Sequence, residues 1–167
     1  MLIRFLTINF SDLGQIVISY NEVSLPAMSE ELQSLHNHTM AAMEKAYAPY
    51  SKFQVGCGIL LENGEIITGN NQENAAYPSG LCAERIAFFK LRSEQQTPIR
   101  SVMVTTKNQL GQRPESFPCG ACRQVMLEYA MNQEDTISFY MQVDANSFYE
   151  LADLRMLLPF SFTKNVL

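Results

Sequence analysis

Three cysteines and one glutamate are the residues of this chain best placed to do chemistry. Cys119 and Cys122 stand in Pro118-Cys119-Gly120-Ala121-Cys122, a spacing that lets two thiolates converge on one tetrahedral metal ion. At the start of a helix the unpaired N–H groups also favour the thiolate form. Taken alone the pair reads equally well as a redox dithiol. Cys82, in Leu81-Cys82-Ala83-Glu84-Arg85, decides between the two. It completes three protein ligands and leaves the fourth position for water, the arrangement of catalytic zinc, whereas structural zinc normally takes four. Glu84 stands two residues after Cys82 and so reaches the water position without ligating the metal. The fourth cysteine, Cys57, lies in an apolar run and reads as a buried, inert thiol. His36 and His38, the only histidines, sit two apart on a helix and point in different directions. They read as surface residues.

These groups need elements to hold them. A chain of 167 residues with 47% apolar and 17% charged residues forms one domain with a real core. Residues 29–167 read as that domain and residues 1–28 as an N-terminal extension. Within the extension, 2–10 and 15–23 have strand composition. Ser29 caps a helix with Glu30 and Glu31 in its first turn and Leu32, Leu35, Met40, Met43 and Ala46 as its stripe, ending at Pro49. Strands are expected at 53–61 and 65–68, joined by Asn63-Gly64, whose residues both tolerate positive φ. Further strands are expected at 99–106, 136–143 and 146–151, with 149–157 open to a helical reading. Helices at 82–93 and 119–131 place both cysteine motifs at helix starts. Strand pairs followed by alternating helices and strands predict a mixed-sheet α/β domain.

The net charge of -5 with only 12 Lys and Arg argues against nucleic acid, whose binders usually show a basic face. No apolar run reaches the ~18 residues of a membrane span, and the apolar N-terminus is interrupted by Arg4 with no small-residue cleavage site after it. The expectation is a cytoplasmic protein acting on a small molecule, with neither nucleic acid nor membrane as partner.

A ligand, one residue, a Glu, then Pro-Cys-x-x-Cys is the signature of zinc deaminases in its three-cysteine form. Four blocks in order make the likeness specific: Ala48-Pro49-Tyr50-Ser51-Lys52-Phe53, Gly69-Asn70-Asn71-Gln72-Glu73-Asn74-Ala75-Ala76-Tyr77, Cys82-Ala83-Glu84-Arg85, and Pro118-Cys119-Gly120-Ala121-Cys122-Arg123-Gln124. The chain resembles the small, homotetrameric cytidine deaminases from about residue 46 to 129, with a further match at 157–162. The resemblance implies a three-layer α/β/α sandwich with a mixed five-stranded sheet and one zinc ion per subunit. It also implies hydrolytic deamination of cytidine, and of deoxycytidine, in pyrimidine salvage. It assigns Asn71 and Glu73 to the ribose hydroxyls, and Phe53 and Ala83 to the nucleoside. Phe162 would enter a neighbouring subunit's site. Arg85 would bond the ligand sulfurs, offsetting the -1 charge of three thiolates around one zinc ion. Phe117 departs from the family pattern, standing where a small hydroxylic residue is usual.

Two alternatives stay open at the level of sequence. One is a blasticidin-type or other aminopyrimidine deaminase of the same fold, against which the Asn71 and Glu73 pair argues. The other is a non-catalytic structural zinc protein, against which the missing fourth ligand argues.

Overall fold

The computed structural model describes residues 16–164. Nine elements follow in order: β1 Asn21–Ser24, α1 Glu30–Met43, β2 Gln54–Leu61, β3 Ile66–Asn70, α2 Ala83–Glu94, β4 Ile99–Lys107, α3 Gly120–Ala130, β5 Ser138–Gln142 and β6 Ser147–Leu151. The strands form one mixed sheet in the order β1-β6-β5-β4-β2-β3. Only β4 and β5 run parallel; the other pairs are antiparallel.

Alternation along the strands splits the core into two layers. Cys57, Ile59 and Leu61 of β2 face one way, packed with Ala87, Phe88 and Leu91 of α2 and Cys122 and Met126 of α3. Leu60 faces the other way with Met103, Tyr140 and Phe148, against Leu35 of α1. The result is the α/β/α sandwich, with α1 on one face and α2 and α3 on the other. Removing one of these fully buried side chains, Phe88 for example, would cost about 3–5 kcal/mol.

Two glycines shape the half of the sheet beside the cysteine motifs. Gly64 takes φ +83° in the β2–β3 turn, the conformation that the Asn-Gly pair supplies without strain. At Gly69 of β3, a Cβ would stand 2.5 Å from Ala87 N and 2.6 Å from Ala83 O. Only hydrogen fits there, so α2 lies directly on β3 and its first turn is fixed in depth.

Four expectations are corrected. The sheet has six strands rather than five, because β1 of the extension pairs with β6, from Asn21↔Glu150 to Ser24↔Ser147. The strand expected over 15–23 is shorter and shifted, since β6 offers only five residues to pair; the strand expected over 2–10 lies outside the described residues. Helix α1 ends at Met43, well before Pro49. Tight turns at Lys45 N to Ala42 O and Ala46 N to Met43 O close it, which frees Tyr47 to bridge to Gln72. His36 is buried, 9% exposed, with its ring edge-on to Phe148 at 5.6 Å. It lies four residues after Leu32 and four before Met40, on the helix stripe itself. Burial lowers its pKa and keeps it neutral.

The open question at 149–157 is resolved as strand β6 followed by a short 3-10 turn, Leu154–Leu157. Cys57 is fully buried, and burial raises its pKa, as expected of an inert thiol. Among the described residues, no helix is long and apolar enough to cross a membrane.

Candidate active site

Cys82 and Cys119 are the N-cap residues of α2 and α3, so two helix starts bring their unpaired N–H groups to one place. There the sulfurs of Cys82, Cys119 and Cys122 all lie within 4.8 Å of one another. The Cys82–Cys119 separation is 4.0 Å and the Cys119–Cys122 separation is 3.4 Å. Tetrahedral zinc with bonds of roughly 2.3 Å needs sulfurs about 3.8 Å apart, so the donor set fits that ion. All four cysteines are free thiols.

The electrostatics favour a thiolate at Cys82. Its pKa is brought down to about 5, chiefly by hydrogen bonding with the Cys122 sulfur, with Arg85 adding to the effect. The same interaction pushes the Cys122 thiol up. Arg85 Nη2 stands 3.9 Å from Cys82 Sγ as a donor. Its Nε is buried with no hydrogen-bond partner among the described residues, so the guanidinium keeps a donor in reserve beside the sulfurs.

Glu84 is not one of the converging ligands. It sits in the first turn of α2, 4% exposed, and burial raises its carboxyl pKa. It lines the same cavity as Cys82 and Cys119, a space of about 930 Å³. A buried carboxyl whose pKa is raised toward the working range is suited to taking up and releasing a proton.

The other wall of the cavity comes from the turn before β2 and the segment after β3. Phe53, Asn71 and Glu73 all line it. Glu73 Oε2 accepts hydrogen bonds from Tyr50 N at 2.9 Å and Ser51 N at 3.3 Å. Bonding from Ser51, foremost its side chain, lowers the pKa of Glu73 and keeps it ionised. Asn71 does more than line the wall. Its Oδ1 accepts from Val55 N at 2.8 Å and its Nδ2 donates to Phe53 O at 2.9 Å. The side chain therefore continues the pairing of β2 where β3 has ended, and its remaining hydrogen and lone pair are free to face the cavity.

Three of the residues marked in the sequence do not line this chain's cavity. Cys122 is fully buried, with its sulfur within 4.8 Å of those of Cys82 and Cys119. Ala83 is fully buried beneath it. Phe162 lies outside it and is 63% exposed. Sequence reasoning had missed what holds the C-terminal tail. Arg123 Nε donates to Pro118 O at 2.8 Å and its Nη1 to Leu157 O at 3.2 Å. The next residue, Gln124, donates from Nε2 to Phe162 O at 2.9 Å. Both follow directly on the Cys-x-x-Cys motif, which was the available signal. They tie the tail to the helix that carries two of the sulfurs.

Comparison with known proteins agrees with this geometry. Residues 29–135 match the family model "Cytidine and deoxycytidylate deaminase zinc-binding region". The chain is similar to the cytidine deaminase of Halalkalibacterium halodurans, 46% identical over 96 residues, covering 58% of this chain and 70% of that one. It is 37% identical over 134 residues to the cytidine deaminase of Sporosarcina psychrophila, covering 80% and 93%. Its fold matches a crystal structure of cytidine deaminase from Burkholderia pseudomallei with a TM-score of 0.67 at 33% identity, covering 81% of this chain and all of that one. With the three converging sulfurs, the buried glutamate beside them and a family match over most of its length, this chain belongs to the zinc-binding cytidine deaminase family.

Proposed function

We propose that this cavity converts cytidine, and deoxycytidine, with water into uridine or deoxyuridine and ammonia. The observation that carries the reading is the position of Glu84: buried, lining the cavity with Cys82 and Cys119, yet outside the set of sulfurs that can hold a metal. Cys82, Cys119 and Cys122 would hold one zinc ion, a Lewis acid that brings the ionisation of water toward neutrality.

The chain's own groups do the rest. Glu84 accepts the proton of the attacking water and passes it to ring N3. The C4–O bond forms, leaving a tetrahedral carbon. Glu84 then takes the proton of the new C4 hydroxyl and delivers it to the amino group, the C4–N bond breaks as the C4 carbonyl forms, and ammonia leaves. One carboxyl serves as base and then as acid because the two steps are sequential. Arg85 spreads the negative charge of the thiolates. Phe53 packs against the nucleoside, and Asn71 and Glu73 hold the ribose hydroxyls.

Turnover of cytidine against free cytosine tests the sugar contact. A hydrogen bond to a charged group contributes roughly 1.5–3 kcal/mol, so Glu73→Ala should raise KM for cytidine by roughly 10- to 150-fold and narrow the preference for cytidine. Asn71→Ala should also lower thermal stability, because Val55 N and Phe53 O lose their partners. An unchanged cytidine-to-cytosine ratio in Glu73→Ala would show that the carboxylate does not read the sugar.

The oligomer is part of the same proposal. Phe160 is 96% exposed and Phe162 is 63% exposed, while Leu154 and Leu157 just before them are buried in the chain's own core. A tail with a fixed backbone and outward aromatic rings is suited to burial against a second copy. We therefore propose a homotetramer whose active sites each receive Phe162 from a neighbouring subunit. Phe162→Ala should raise KM for cytidine by about tenfold, the scale of losing one aromatic contact, and should leave zinc content unchanged. An unchanged KM in that variant, or a monomeric native protein by light scattering, would remove the composite site.

A further inference from the structure

The extension does more than add a strand. Because β1 runs antiparallel to β6 with Asn21 opposite Glu150, the residues before Asn21 continue past the C-terminal end of β6. They stay docked on the way. Asn21 Nδ2 donates to Glu150 Oε2 at 3.0 Å, and the Tyr20 ring lies 4.6 Å from that of Tyr149. Ile18 and Tyr20 then line a groove of about 460 Å³ together with Glu115 and Phe117. Phe117 also lines the cavity that holds Cys82, Glu84 and Cys119. Phe117 is therefore shared by the substrate cavity and the extension's groove.

Phe117 has little else to hold it. It is 51% exposed, lies in the segment between β4 and α3, and precedes Pro118 and the N-cap Cys119. Glu115, two residues before it, lines the same groove as Tyr149 and Tyr20, whose rings are tilted against each other at 51°. We infer that Ile18 and Tyr20 of the extension are positioning residues for the active site, and that they act by confining Phe117, which sets the width of the substrate cavity and makes apolar contact with the bound nucleoside. This rests on the deaminase reading for its substrate but not for its geometry.

A double-mutant cycle tests the coupling. Loss of uniform binding raises KM with kcat unchanged; a general loss of structure would instead lower the melting temperature and the active fraction. Tyr20→Ala should raise KM for cytidine about fivefold and Phe117→Ala about tenfold, each with kcat within about twofold of the parent. The double variant should be no worse than Phe117→Ala alone, since the two act through one ring. Tyr20→Phe should behave as the parent, and Val17→Ala should change nothing, because Val17 is 76% exposed and outside the groove. Additive effects, or an unchanged KM in Tyr20→Ala, would overturn the inference.

A second arm does not depend on cytidine being the substrate. The chain has no Trp, so Phe117→Trp installs a single indole at this shared position. Adding Tyr20→Ala should red-shift its emission and raise its quenching by acrylamide, while adding Val17→Ala should not. Equal spectra in both backgrounds would show that the extension does not confine the ring, even in a preparation inactive on cytidine.

Discussion

Glu84→Gln is expected to fold, to hold zinc at the parent's stoichiometry, and to lose at least about 10²–10⁴-fold in kcat, the range for removing a general acid-base group. The amide has the size of the carboxyl but cannot take up and release a proton near neutrality. Folding should not suffer, and the sign follows from burial. The folded-state pKa of Glu84 is raised, so as pH climbs through the ordinary carboxylate range, the unfolded chain ionises before the native one and native stability falls. An amide has no such ionisation. Zinc should stay because the three sulfurs remain within 4.8 Å of one another without it. Metal analysis, thermal melting and cytidine kinetics on one preparation separate these expectations. Near-parent kcat would remove Glu84 from the proton path.

Cys82→Ala should lose both the metal and the activity. Cys82 is a ligand whose thiol pKa is lowered in this site, and thiolate is the form that binds the metal. With two sulfurs left the site has too few ligands for tetrahedral zinc. Apparent stability should fall too, because an ion bound only by the native state stabilises it by mass action. A Cys57→Ala control should keep the metal, since Cys57 is buried in the core and is not one of the three converging sulfurs. Stoichiometric zinc in Cys82→Ala would contradict the ligand set.

The chemical half of this molecule was legible in its sequence because short spacings at helix starts fix geometry locally. Cys82 and Cys119 as N-caps, with Glu84 in the first turn of α2, follow from where each helix begins. The alternation of β2 and the Asn63-Gly64 turn likewise determined the hairpin that carries Phe53 and Asn71. What stayed hidden depends on contacts between distant segments. Two apart on α1, His36 and His38 point in different directions and both read as surface residues, although the position of His36 on the α1 stripe turns it to Phe148. The motif marks Asn71 only as a sugar contact, because its bonds to Val55 and Phe53 arise only once β3 ends short of β2. The extension's strand composition was legible, but its bounds and its place as a sixth strand were not, because both are set by the edge of β6 that accepts it. The clamp of Arg123 and Gln124 on the tail spans 34 and 38 positions, so their place beside the motif marks them without showing which distant segment they hold.

The most direct test of the central claim is a zinc titration of metal-free protein with cytidine turnover as the readout. The account predicts no turnover without metal, a linear rise as zinc is added, and saturation at one zinc per chain. Turnover by the metal-free protein, or zinc-saturated protein that produces no uridine from cytidine, would contradict it.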